Sequence, residues 1–77
     1  MTHDLDRIIG IVQTTGKLER LDASADFYEA GFSSINALQL LLELEAAFNV
    51  AIPDDDFVTA RTCASLHELV SRLNKTS

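Results

Sequence analysis

The chain has 77 residues, 47% of them apolar and 23% charged, and a net charge of −6. That is one small globular domain, too short for a deep catalytic cavity and too apolar for a disordered chain. Phosphate backbones need Lys and Arg patches, and none is present, so a nucleic-acid partner is not expected.

The first segment reads as a helix over about residues 3–15. Leu5, Ile8, Ile9 and Val12 recur at i, i+3, i+4 and i+7, which gathers them on one face. Thr2 fits its cap, Asp4 and Asp6 suit the positive end of its dipole, and Gly16 is expected to stop it. A long connection over residues 16–32 has neither helical nor strand periodicity. A loop of that length needs anchors, and Leu18, Leu21, Phe27, Tyr28 and Phe32 are the candidates. Asp26 to Gly31 has room for one helical turn, and Gly31 suits a backbone conformation that other residues resist.

The second helix is expected from Ser34 to Phe48, with Ser33 as N-cap. Ten of the fourteen residues from Ile35 to Phe48 are apolar, more than one core contact requires. Ala37, Leu40, Leu41, Leu44 and Phe48 form one face, and Asn36, Gln39 and Glu43 the opposite one. Ile35, Leu38 and Leu42 flank the polar side, with Glu45 near them. These three are either covered by a neighbour or left open as a docking stripe. Val50 to Pro53 reads as extended, because a residue before Pro avoids the helical region. Asp54, Asp55 and Asp56 open a short helix over 54–60, and Thr62 caps a last helix over 63–73 with Cys63, Leu66, Leu69, Val70 and Leu73 as its stripe. Asn74 to Ser77 reads as a frayed tail. The expected fold is all-α: a small four-helix bundle, three main helices and one short, with a long loop between the first two, in a single domain over 1–77.

Most chemistry can be set aside. Asp54 and Asp56 begin a D-x-D-x-D calcium pattern, but Val58 and Thr59 stand where a ligand and Gly are needed. Two distant histidines, His3 and His67, and one cysteine make no zinc site, and His67 reads as a solvated surface residue. Gly31-Phe32-Ser33-Ser34-Ile35 begins like G-x-S-x-G but ends in Ile and has no strand before it. Cys63 lies in an apolar stripe and reads as core. No Lys or Arg lies between Arg20 and Arg61, a span holding Asp22, Asp26, Glu29, Glu43, Glu45, Asp54, Asp55 and Asp56. That acidic middle either keeps the chain soluble or meets a basic partner. The N-terminus has acids where a secretion signal carries bases, and no apolar run is long enough to span a membrane, so a cytoplasmic setting is expected. One constellation remains. A serine pair stands at the mouth of the strongest helix, where free N–H groups favour an attached phosphate. One serine is enough to cap, which leaves the second, Ser34, available for a phosphate-linked modification.

The run Asp26-Phe27-Tyr28-Glu29-Ala30-Gly31-Phe32-Ser33-Ser34-Ile35, the helix Leu40 to Phe48 ending Glu45-Ala46-Ala47-Phe48, and Ile52-Pro53-Asp54 resemble the acyl carrier protein family. The similarity extends over about residues 4–74. It implies that Ser34 carries 4′-phosphopantetheine through a phosphodiester, installed from coenzyme A by a separate Mg²⁺-dependent phosphopantetheinyl transferase. The carrier is then no enzyme. It holds cargo as a thioester, loaded by an acyl or aminoacyl ligase, and presents it to a downstream acyltransferase or synthase, acting as a monomer. Ser33, Ile35, Leu38 and Leu42 would surround the docking site, with Glu43 and Glu45 supplying charge. Carriers of bacterial fatty acid synthesis usually have Asp directly before the serine and an acid two after it; this chain has Ser33 and Asn36. The Ser-Ser-Ile form looks more like carriers of specialised pathways, and Tyr28-x-Ala30-Gly31-Phe32-Ser33-Ser34 is similar to freestanding aminoacyl carriers. A freestanding carrier is the expectation. The alternative is an unmodified acidic helical interaction module.

Overall fold

The structure, a computed structural model, describes residues 3–74. It consists of α1 (His3–Gly16), a 3₁₀ turn (Ser34–Asn36), α2 (Ala37–Phe48), α3 (Asp54–Thr59) and α4 (Cys63–Asn74). The expected all-α fold is present, with α1 packed against both α2 and α4. The core follows the helical periodicity. Ile8 and Val12 of α1, Leu40, Leu41, Leu44 and Phe48 of α2, Phe57 of α3, and Cys63, Leu66, Leu69 and Val70 of α4 are buried together. Leu5, Ile9 and Leu73 pack partly buried at its margin.

The long loop belongs to that core. Phe27 is fully buried and Phe32 nearly so, while Leu18, Leu21 and Tyr28 pack partly buried against the core. Phe27, Tyr28 and Phe32 touch one another, with ring centroids 4.7, 5.4 and 5.8 Å apart. The backbone forms one tight turn. Asp26 caps it by accepting from the Tyr28 and Glu29 N–H groups, Ala30 N–H closes on Asp26 C=O, and Gly31 leaves it at φ +117°. Across the molecule, Phe27 N–H donates to Arg61 C=O at 2.9 Å and Ala64 N–H to Ala23 C=O at 2.9 Å. The first pairing belongs to an isolated antiparallel bridge between Asp26 and Thr62.

The helix boundaries differ from expectation in four places, each with a local cause. Gly16 does not stop α1; it is its last residue, and Lys17 takes the left-handed conformation at φ 56°. Gly16 is required for another reason: a Cβ there would lie 2.4 Å from the Phe32 ring. The second helix does not run regularly from Ser34. Ser33 is the N-cap, its Oγ accepting from Ile35 N–H, but the first turn closes as 3₁₀ with Asn36 N–H on Ser33 C=O, and α2 begins only at Ala37. The third helix ends at Thr59 because Ala60 turns extended and buries its methyl group. The last helix takes in Asn74, which was expected in the tail; the rest of that expected tail lies outside the described residues. Thr62 does cap α4: Ser65 N–H donates to Thr62 Oγ1 and Thr62 N–H to Ser65 Oγ, a reciprocal pair that satisfies two orphan donors. The expected Thr2 cap and the side chain of His3 lie outside the described residues.

Candidate functional site

Ser33 and Ser34 are both exposed, but their hydroxyls differ. Ser33 Oγ is committed to the cap. Ser34 Oγ has no hydrogen-bond partner among the described residues, so the 3₁₀ turn presents a free hydroxyl to solvent. Ser34 stands at the edge of a groove of about 540 Å³ between the loop, α2 and α3, lined by Tyr28, Phe32, Ala37, Phe57, Val58 and Arg61. Its walls are aromatic and aliphatic except at Arg61. Asp26 and Arg61 close a 2.6 Å ion pair at this end of the molecule, and the Arg61 guanidinium lies 4.6 Å over the Tyr28 ring. Hydrogen bonding from Arg61 holds the Asp26 carboxyl below the ordinary carboxylate range, with the two turn N–H groups adding to the effect.

Three large apolar side chains of the 3₁₀ turn and α2 are left without cover. Ile35 is 88% exposed, Leu38 65% and Leu42 56%. These three side chains are thus exposed, not covered by a neighbouring element. Val58, 62% exposed, adds a fourth from α3 and lines the groove with Ser34. Sequence reasoning missed Val58, although a signal existed. Phe57 and Val58 are adjacent on a helix, about 100° apart, so a six-residue helix that buries one turns the other outward.

The two expected acidic contributors do not join this face. Glu45 Oε2 accepts from Ile52 N–H at 2.9 Å, half-buried, which ties α2 to the connection before α3. Glu43 is exposed on the other side of α2, in a second groove of about 800 Å³ shared with Arg7, Gly10, Thr14 and Lys17 of the α1 side. The acidic middle is therefore partly spent within the fold, on Asp26 and Glu45. The triple Asp54 to Asp56 remains exposed in the first turn of α3. Cys63 is fully buried, as expected, and burial pushes its thiol up to about 11. His67 is half-buried on α4, not fully solvated, and does not line the groove beside Ser34. Among the described residues no group of His, Cys, Asp or Glu is placed to hold a metal, and no helix is long and apolar enough to cross a membrane.

The family described as "Phosphopantetheine attachment site" matches residues 6–75, nearly the whole chain. The chain belongs to the acyl carrier protein family. It is 32% identical over 73 residues to "Acyl carrier protein, mitochondrial" of Dictyostelium discoideum, a match that takes in 92% of this chain and 58% of that protein. The chain thus spans little more than half the length of this relative. Members of the family are carriers rather than enzymes, and their prosthetic group is covalently attached 4′-phosphopantetheine. The carrier fold here fits such a group: it offers an exposed, unpartnered hydroxyl beside an apolar groove.

Proposed function

We propose that Ser34 is the attachment residue for 4′-phosphopantetheine and that the domain shuttles acyl or aminoacyl cargo between enzymes. The observation that carries this reading is the free Ser34 hydroxyl. Ser33 alone satisfies the turn, so Ser34 contributes no hydrogen bond that its modification would break. When bound, the prosthetic group supplies a terminal thiol that holds cargo as a thioester. The protein's own part is to keep Ser34 on a capped 3₁₀ turn, to offer the apolar groove beside it, and to expose Ile35, Leu38, Leu42 and Val58 to partners. The partners under this reading are a phosphopantetheinyl transferase, a loading ligase, and a downstream acyltransferase or synthase.

The docking face also supports the finer assignment to a specialised pathway: Glu43 and Glu45 both lie off the exposed apolar stripe, so recognition there rests on shape and apolar contact more than on charge. Aminoacyl cargo is supported by the Tyr28 to Ser34 motif. A cytoplasmic setting is supported by the lone cysteine, buried and unable to pair within the chain; the Dictyostelium relative is named as mitochondrial.

The test is intact mass after incubation with coenzyme A and a broad-specificity phosphopantetheinyl transferase. One phosphopantetheinyl increment is expected, absent in Ser34→Ala, whose circular dichroism matches the parent. No increment with a transferase active on a control carrier would return the chain to an acidic helical binding module. A second variant tests the docking face. Leu42→Asp should retain helicity and melting temperature within the range of surface changes, about 0.5 kcal/mol, while slowing modification by the transferase or loading by the ligase. A collapse of the fold instead would make Leu42 a core residue.

A further inference from the structure

The groove beside Ser34 carries one charged side chain, Arg61. It is the only Lys or Arg between Arg20 and Arg72, a span with nine Asp and Glu residues. A phosphate placed on Ser34 would add negative charge to the most acidic part of the chain, with this one cation on the same groove. Arg61 is also held in a defined position. Its Nε donates to Asp26 Oδ2 at 2.6 Å, and its guanidinium carbon lies 4.6 Å from the centre of the Tyr28 ring. Asp26 is in turn fixed by the Tyr28 and Glu29 N–H groups on its other oxygen. One edge and one face of the guanidinium are thus occupied. Its two Nη groups have no acceptor among the described residues, and the side chain is 50% exposed. A planar guanidinium already held by its edge loses little freedom on binding an oxyanion through the donors that remain.

We propose that Arg61 is the anion-recognising residue of this groove, its free Nη donors receiving an anionic oxygen of the group carried on Ser34. That oxygen comes from the phosphodiester at the root of the arm or from a carboxylate on the cargo at its tip. The inference rests on the reading of Ser34 given above. Arg61 acts as a positioning residue: it sets where the arm lies along the groove and takes no part in bond making.

Apo, holo, butyryl-holo and succinyl-holo proteins are compared by ¹H–¹⁵N spectra of the arginine side chains, with Arg61 assigned through Arg61→Gln. Intact mass first establishes that the arm is present. If the phosphodiester is the source, the Arg61 Nη signals move and exchange more slowly in holo than in apo protein, and Arg61→Gln shifts the ³¹P resonance of the holo form. If a cargo carboxylate is the source, they move only in succinyl-holo protein and not in the butyryl form, which ends in a neutral methyl group. Arg61 signals unchanged across all four forms overturn the inference and leave Ser34 as the attachment residue. Without the mass increment the reading of Ser34 itself falls, and the role of Arg61 falls with it.

Discussion

Phe27→Ala is expected to remove a large share of the domain's stability. Phe27 is fully buried, and removal of a buried Phe side chain costs about 3–5 kcal/mol. A domain of 77 residues has roughly 4–12 kcal/mol in total at typical values per residue. The residue also holds the other loop aromatics, since both Tyr28 and Phe32 pack on its ring. Its backbone N–H anchors the loop to Arg61. Urea denaturation followed by circular dichroism should show a transition shifted to low denaturant or already lost. A loss below about 1 kcal/mol would mean that the loop lies on the core without completing it.

Gly16→Ala and Gly10→Ala are the same chemical change, and opposite outcomes are expected. In mid-helix, Gly to Ala stabilises by about 0.5–1 kcal/mol where the methyl group has room. A Cβ on Gly10 meets nothing within 4 Å, so Gly10→Ala should raise the melting temperature. A Cβ on Gly16 would lie 2.4 Å from Phe32 Cδ2, in a ring that is 3% exposed and packed against Phe27 and Tyr28. That ring cannot move away cheaply. Overpacking of this kind costs about 1–3 kcal/mol, more than the helix gains. Gly16→Ala should therefore lower the melting temperature, and because Phe32 lines the groove beside Ser34 it should also perturb the amide signals of that turn. A rise in stability for both variants would show that the Phe32 ring has an alternative position.

Helical faces were legible because each apolar residue repeats with the period of the helix. Ile8 with Val12, Leu40 with Leu44, and Leu66 with Leu69 and Val70 all turn inward. Phe27 and Phe32 were legible as anchors for a different reason: a polar loop has no use for two large rings. What was hidden depends on partners distant in sequence. Nothing local to Asp26 points to Arg61, 35 positions on, and nothing local to Glu45 shows that it accepts from Ile52. Gly16 looked like a helix stop because glycine has two uses, an unusual φ and close approach; Phe32 requires the second, and the left-handed turn fell to Lys17. At the site, the serine pair and the shared flank of Ile35, Leu38 and Leu42 follow from capping chemistry and helix geometry, but their exposure does not, since a neighbouring element could have covered them. The groove does not, because α3 supplies Phe57 and Val58 only once the bundle has assembled.

The burial of Cys63 bears on how long a cargo survives. A thioester passes readily to any neighbouring thiolate, and the thiolate, not the thiol, is the attacking species. Cys63 is the only cysteine of the chain, it is fully enclosed, and its thiol is pushed up to about 11, so at neutral pH it is both out of reach and protonated. With a sulfhydryl on the arm, the folded carrier has a single nucleophilic sulfur. Transthioesterification within the molecule has no acceptor, and neither does an internal disulfide that would retire the arm by oxidation.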